Sequence, residues 1–216
     1  TTNVIKFGTD GWRAIIAQEF TFENVARCSQ GLVDYLIERG TAEQGLVVGY
    51  DTRFLSREFA DTVAGVCAGN GIKVYLSENP APTPVISFNV LHNAAAGAAI
   101  ITASHNPPED NGYKVYWAHG GQIVNPVDSM ITEEVKFITR IHAIQRMTLE
   151  QARKSGLLKD LSDESDQFYF SNVEKLSWGT SDANHDYGLV YSPLHGTGMR
   201  LVPELLRRRG FRCFSC

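Results

Sequence analysis

Apolar side chains in this chain recur with two alternating periods. After Thr21, Phe22, Val25, Ala26, Leu32, Val33, Leu36 and Ile37 fall at helical spacing, which predicts a one-faced helix closed by Gly40. Leu46-Val47-Val48 is a short apolar run that predicts a strand leading into Gly49-Tyr50-Asp51-Thr52-Arg53. Ser56 is placed to cap a second helix carrying Phe59, Ala60, Val63, Ala64 and Cys67, stopped by Gly69-Asn70-Gly71. Residues 72–76 read as a strand, Thr83-Pro84 as the N-cap and first position of a third helix, and 96–101 as a strand of small and branched residues.

Strand, helix, strand, helix, strand is the order of an α/β fold built from right-handed crossovers on a mostly parallel sheet. Ligands in such folds sit at loops after the carboxyl ends of strands, and the loops so placed are 50–54, 102–111 and 192–198. Further along, residues 113–117 predict a strand, and Pro126 opens a helix with Met130, Ile131, Val135, Ile138 and Ile141 on its buried stripe. Thr148 and Gln151 have capping-box spacing on a short helix. The polar stretch 159–166 reads as a separator, and a domain boundary is expected near residue 160. Beyond it come a helix with Phe168, Tyr169, Val173 and Leu176, a strand over 187–191, and another strand starting at Phe211. These last 56 residues are too few for an independent core, so either the chain is a fragment or they dock on something supplied from elsewhere.

Composition narrows the class. At 216 residues, with 43% hydrophobic and 20% charged side chains, the chain is ordinary globular protein, which excludes disorder and coiled coil. Twenty basic against 24 acidic residues leave a net charge of -4, so no general basic field for nucleic acid exists. No stretch reaches the ~20 apolar residues of a membrane span, and the first residues lack a signal-peptide core; the expectation is a soluble, cytoplasmic protein without membrane partners. Cys28 and Cys67 fall inside predicted helices as small hydrophobes, and only Cys213 and Cys216 have redox or zinc spacing.

The loop richest in chemistry is Thr102-Ala103-Ser104-His105-Asn106-Pro107-Pro108, where two prolines stop both sheet and helix. A serine at a strand exit with an imidazole beside it suits phosphoryl or acyl transfer, although the same residues also make an ordinary Asn/Pro turn. Phe7-Gly8-Thr9-Asp10-Gly11-Trp12-Arg13 offers close backbone approach and a guanidinium fork for phosphate, or else a surface hairpin. In Asn111-Gly112-Tyr113-Lys114 the ammonium stands at a strand start, as a phosphate contact or a solvated lysine. Ser192-Pro193-Leu194-His195-Gly196-Thr197-Gly198 precedes an amphipathic helix of Met199, Leu201, Val202, Leu205 and Leu206, an anion-binding arrangement if that helix start is open. It fails as a dinucleotide fingerprint, because Leu201 holds the position of the third glycine.

Taken together, residues 7–13, the Thr102-Ala103-Ser104-His105-Asn106-Pro107 segment with Asn111-Gly112-Tyr113-Lys114, and residues 191–198 closely resemble the α-D-phosphohexomutase family, the bacterial phosphoglucomutases and phosphomannomutases. The resemblance implies an α/β fold, a mostly parallel mixed sheet with helices on both faces over residues 1–160, and the start of a similar second domain over 161–216. It implies a four-domain isomerase acting on hexose phosphates through phosphoserine Ser104 and a glucose 1,6-bisphosphate intermediate, with Mg²⁺ bridging the seryl phosphate. It also implies charge stabilisation and proton handling by Arg13 and Lys114, positioning or acid-base work by His105, and sugar-phosphate contact by Thr9.

The departures are as definite. No Asp-x-Asp exists for the family's metal loop of the form Asp-Gly-Asp-x-Asp-Arg, and Asp160, Asp163 and Asp166 are spaced too widely to replace it. The loops for sugar choice and the distal phosphate are absent, so this stretch is expected to need the missing carboxyl-terminal domains as partners and to be inactive as a mutase alone. The rival reading is a non-catalytic sugar-phosphate-binding module. A nucleotide-binding regulator built on Gly196-Thr197-Gly198 is a third.

Overall fold

Strands form where branched and small residues run together without a polar break. In the computed structural model, which describes residues 5–8, 11–178 and 188–215, these are β1 (Trp12–Ile15), β2 (Leu46–Tyr50), β3 (Val74–Ser77), β4 (Gly97–Ile101), β5 (Asp110–Trp117) and β6 (Leu158–Leu161). They make one sheet in the order β1-β5-β4-β2-β3-β6. β2 lies parallel between β3 and β4, with Val47 opposite Tyr75 and Ala98. β5 runs antiparallel to β4 and to β1, pairing Tyr113 with Ile101 and Gly112 with Arg13. The sheet is therefore mixed, parallel at its centre and antiparallel toward β1.

Alternation along the strands decides which helices cover which face. Leu46, Val48, Leu76, Ala99, Ile101, Tyr113 and Val115 turn into the main core, together with α1 (Phe22–Glu38) and α2 (Ser56–Gly69). Fully burying one such leucine or isoleucine contributes about 1.5–3 kcal/mol. Gly49 faces the other way, where a Cβ would come within 2.5 Å of Ile86 in α3 (Thr83–His92), so helices cover both faces. α4 (Val127–Phe137) lies against α1, with Val135 so close that a Cβ on Gly31 would meet its Cγ2 at 2.6 Å. α5 (Leu149–Lys154) starts at Thr148 with the expected capping box: Gln151 N donates to Thr148 Oγ1 at 3.2 Å, and Thr148 N to Gln151 Oε1 at 3.0 Å. Thr21 likewise caps α1, accepting from Asn24 N at 3.2 Å.

Several local expectations are corrected. Ser56 does not cap α2; Leu55 precedes the helix in a left-handed conformation, and the Ser56 hydroxyl is drawn instead to Asp51 Oδ1 at 2.7 Å. Pro82 takes the N-cap position of α3, moving Thr83 and Pro84 one place into the helix. α4 ends at Phe137, and Ile141 belongs to a separate 3-10 turn, Ile141–Ala143. The stretch 159–166, inside which the boundary between two units falls, is regular structure rather than a loop. Lys159, Asp160 and Leu161 complete the edge strand β6, with Asp160 held by Arg153 through two bonds of 2.8 and 2.9 Å, and α6 (Asp163–Lys175) starts two residues on. Charged edge-strand residues mimic a linker because only one face of that strand needs apolar cover.

The chain divides into two compact units between Asp160 and Leu161. In the second, α6 buries Phe170, over whose ring the Arg208 guanidinium lies 4.4 Å from the centroid. Arg200 pairs with Asp166 and faces Asp163. β7 (Leu189–Tyr191) is parallel to β8 (Cys213–Ser215), and α7 (Val202–Arg208) connects them. Tyr187 of the strand expected over 187–191, and Cys216 of the cysteine pair, lie outside the described residues. Cys28 and Cys67 are buried free thiols in α1 and α2, and burial pushes both up in pKa, Cys67 to about 12. Among the described residues no helix is long and apolar enough to cross a membrane.

Candidate active site

The parallel strands β2 and β4 deliver their following loops to the same edge of the sheet. The loop after β4 carries Ser104. Thr102 and Ala103 are buried and anchor it, while Ser104 and His105 emerge exposed. Ser104 has φ 56°, a left-handed backbone that costs a non-glycine residue on the order of 1–2 kcal/mol. Its amide donates to Thr102 Oγ1 at 2.9 Å, and its Oγ stands 3.5 Å from His105 Nδ1.

The loop is held by a residue from the other strand exit. Arg53 Nη1 donates to the carbonyls of Pro107 (2.7 Å) and Asp110 (2.9 Å), and Nη2 to those of Ser104 (2.9 Å) and Asn106 (2.7 Å). Asp51 fixes Arg53 in turn, accepting its backbone N–H at 2.9 Å and facing Nε at 3.4 Å.

Arg13 and Lys114 reach the site from the antiparallel side. Arg13 pairs across strands with Gly112, and Gly112 and Lys114 are two apart on β5, so all three share a face. Both glycines of this corner permit close approach. A Cβ on Gly112 would run into the Thr102 carbonyl and crowd Arg13 Cγ, and one on Gly11, at φ 86°, would run into the Tyr113 carbonyl and crowd Lys114 Cγ. Arg13 Nη1 donates to Asn106 Oδ1 at 2.6 Å, and Asn106 Nδ2 to Asp110 Oδ2 at 2.9 Å. Lys114 is only 7% exposed, and its pKa is lowered, first by burial and then by Arg13.

The structure thus brings Ser104, His105 and Arg13 onto one loop and its brace, with Lys114 beside Arg13. Lys114 is neither solvated nor at a strand start, since β5 begins four residues earlier at Asp110. Thr9 lies outside the described residues. In the second unit, α7 begins at Val202 with Leu201 as its N-cap, so Gly196 and Gly198 do not form a helix start for an anion. Gly198 instead lies against the Tyr191 hydroxyl. Sequence reasoning gave Arg53, Asn106 and Asn111 no role of their own. The only available signal was Asp51-Thr52-Arg53 directly after a buried strand, with Ser56 in reach. Among the described residues no three His, Cys, Asp or Glu side chains converge on a possible metal position.

At the carboxyl edge of its sheet this α/β domain presents an exposed serine in a left-handed conformation, on a loop held by Arg13 and Arg53. The chain belongs to the phosphoglucomutase/phosphomannomutase family: residues 4–141 match the family model described as phosphoglucomutase/phosphomannomutase, alpha/beta/alpha domain I. It is 34% identical to a phosphoglucomutase of Staphylococcus saprophyticus over 98% of this chain and 38% of that protein. To a human phosphopentomutase it is 31% identical over 94% of this chain and 35% of that protein. A Thermus thermophilus protein whose crystal structure carries a provisional phosphomannomutase assignment superposes with a TM-score of 0.85 at 33% identity, over all of this chain and 46% of that one. The chain therefore spans less than half the length of each of these relatives.

Proposed function

We propose that this chain supplies the phosphoserine domain of a sugar-phosphate mutase, in which Ser104 carries the phosphate that is exchanged with a hexose monophosphate. The observation that carries the reading is Ser104 itself, exposed at a strand exit in a left-handed conformation with an imidazole nitrogen 3.5 Å from its oxygen. In the forward step the bond between phosphorus and Ser104 Oγ breaks and one to the sugar hydroxyl oxygen forms, giving a hexose 1,6-bisphosphate. The hydroxyl proton leaves to a base. Return of the other phosphate to Ser104 releases the isomeric monophosphate.

Within that scheme Arg13 offsets charge on the transferred oxygens through a guanidinium already oriented by Asn106. Lys114 suits proton handling, because burial and then Arg13 lower its pKa from the ordinary lysine value. His105 positions the seryl oxygen or serves as acid-base, and Thr9 contacts the sugar phosphate. The family resemblance implies Mg²⁺, but the residues present do not compose its site. Asp160 is paired with Arg153, and Asp163 and Asp166 face Arg200, so among the described residues a phosphate on Ser104 is the one ligand on offer. The remaining ligands, the choice between hexoses and the grip on the distal phosphate fall to partner domains of the same enzyme.

The test is intact-mass and peptide mapping of the chain before and after incubation with glucose 1,6-bisphosphate and Mg²⁺, comparing wild type with Ser104→Ala. Phosphate on Ser104 alone, absent from the variant, is the expected result. Saturable hexose-phosphate binding that Ser104→Ala leaves unchanged, with no phosphoserine at any stage, would favour a non-catalytic binding module.

A further inference from the structure

We infer that Arg53 is the positioning residue of the Ser104 loop: its guanidinium sets the left-handed backbone of Ser104 and thereby the direction in which the seryl oxygen meets its phosphate partner. The inference deepens the proposed phosphotransfer function and rests on it for its kinetic consequence, but the conformational claim stands on geometry alone.

A guanidinium has five N–H donors in a rigid plane. Four of Arg53's go to the carbonyls of Ser104, Asn106, Pro107 and Asp110, at 2.7–2.9 Å, and the fifth, on Nε, faces Asp51 Oδ2 at 3.4 Å. The Arg53 side chain itself is 12% exposed, so the guanidinium is largely shielded from water even though the Ser104 and Pro107 carbonyls it holds lie on exposed residues. Few local interactions oppose the strain at φ 56°. Within the loop the turn bonds are Ser104 N to Thr102 Oγ1, Asn106 N to the Ala103 carbonyl and Asp110 N to the Pro107 carbonyl. Carbonyls that converge on one point need a donor there, and Arg53 is that donor.

The arrangement also explains why Arg53 cannot drift. Asp51 Oδ1 accepts both the Arg53 backbone N–H and the Ser56 hydroxyl, and Ser56 Oγ accepts from Asn111 Nδ2 at 2.9 Å. The exit of β2, the first turn of α2 and the start of β5 are thus tied together beneath the serine loop. A lysine at position 53 would keep the charge but bring three donors in a tetrahedral array, which cannot span four carbonyls in a plane.

Arg53→Lys and Arg53→Gln are the test variants, and Arg57→Gln on α2 is the control. The first readout is NMR of the whole chain, using the Cα shift and backbone coupling of Ser104 as the signature of its left-handed φ, with amide exchange over residues 103–110. Wild type and Arg57→Gln are expected to show the left-handed signature. Both Arg53 variants should lose it and exchange at least 10-fold faster in that segment, and guanidinium ion, but not ammonium, should restore it in Arg53→Gln. An unchanged Ser104 signature in a folded Arg53→Lys or Arg53→Gln chain overturns the inference.

The second readout is the rate of phosphate uptake at Ser104 from glucose 1,6-bisphosphate. It should fall at least 100-fold in both variants with little change in the half-saturating concentration. Uptake as fast in Arg53→Gln as in wild type overturns the positioning role. A wild-type chain that takes up no phosphate while the variants still lose the Ser104 signature counts against the phosphotransfer reading and supports the conformational role of Arg53.

Discussion

Arg13 Nη1 donates to Asn106 Oδ1 at 2.6 Å, joining the edge strand β1 to the loop that carries Ser104 across 93 residues of sequence. The bond ties the cation to the serine's loop. In the proposed transfer Arg13 would thereby be aimed before substrate arrives, the condition under which a charged donor contributes most to a transition state.

Replacing Arg13 by lysine keeps the charge and removes the oriented fork. Phosphate uptake at Ser104 is expected to slow roughly 100-fold, the usual consequence of losing one preorganised donor. Amide exchange over 103–110 should stay near wild type, because Arg53 holds that backbone independently. Time-resolved intact mass and exchange on the same samples check both halves, and wild-type uptake in Arg13→Lys would remove Arg13 from the transfer step.

Lys114 predicts a pH dependence of stability. Its pKa in the fold lies below the unfolded value because burial, and then Arg13, disfavour the ammonium. The unfolded chain therefore binds the proton more tightly, and the penalty is fully present below the folded pKa. It disappears as pH rises from there to the unfolded value near ~10.4. Thermal melts of wild type and Lys114→Met between pH 7 and pH 10 should show wild type gaining on the variant as pH increases. A constant difference would contradict the shift.

Tyr113 and Ser29 predict an asymmetry between two deletions of one hydrogen bond. Ser29 Oγ donates to the Val25 carbonyl at 2.8 Å, which leaves Tyr113 OH to donate to Ser29 Oγ at 3.2 Å. Tyr113→Phe removes that donor and leaves Ser29 satisfied, at a cost of about 1 kcal/mol. Ser29→Ala leaves a phenol hydroxyl fully buried without its acceptor, at a cost of about 2–3 kcal/mol. Urea unfolding of the two variants should rank them in that order.

The packing of α3 on the sheet predicts a coupling. Gly49→Ala should cost about 1–3 kcal/mol, because the new methyl meets Ile86 Cδ1 and Cγ1 at 2.5 Å. Ile86→Ala alone should cost about 2–5 kcal/mol. The double variant should fall short of the sum by at least about 1 kcal/mol, since removing the Ile86 side chain makes the space that a methyl at position 49 needs. Additive losses by chemical denaturation would mean that α3 does not sit where Gly49 admits it.

Much of this was legible from periodicity. The stripe from Val25 to Leu36 and the alternation of strands with helices follow from local preference and amphipathic spacing, which the chain carries within a few residues. Capping at Thr148 was legible for the same reason, since donor and acceptor are three residues apart. Ser56 misled because its partners Asp51 and Asn111, brought in by the exit of β2 and the start of β5, displace the local cap. β6 was hidden because an edge strand tolerates Lys159 and Asp160, the composition of a loop.

What the sequence by itself determined is the set of chemical groups and their order: an arginine closing a glycine-rich segment near the start, a serine and histidine after a strand, a lysine ten residues past the serine, and an α/β scaffold to carry them. What only the tertiary structure decided is which of these groups meet. The antiparallel turn of β5 brings Lys114 and Gly112 beside Arg13, and the parallel pairing of β2 with β4 puts Arg53 under Ser104. Neither pairing leaves a local trace, because a hydrogen bond between residues fifty or ninety positions apart depends on how strands are ordered across the sheet, and that order is set by the packing of the whole core.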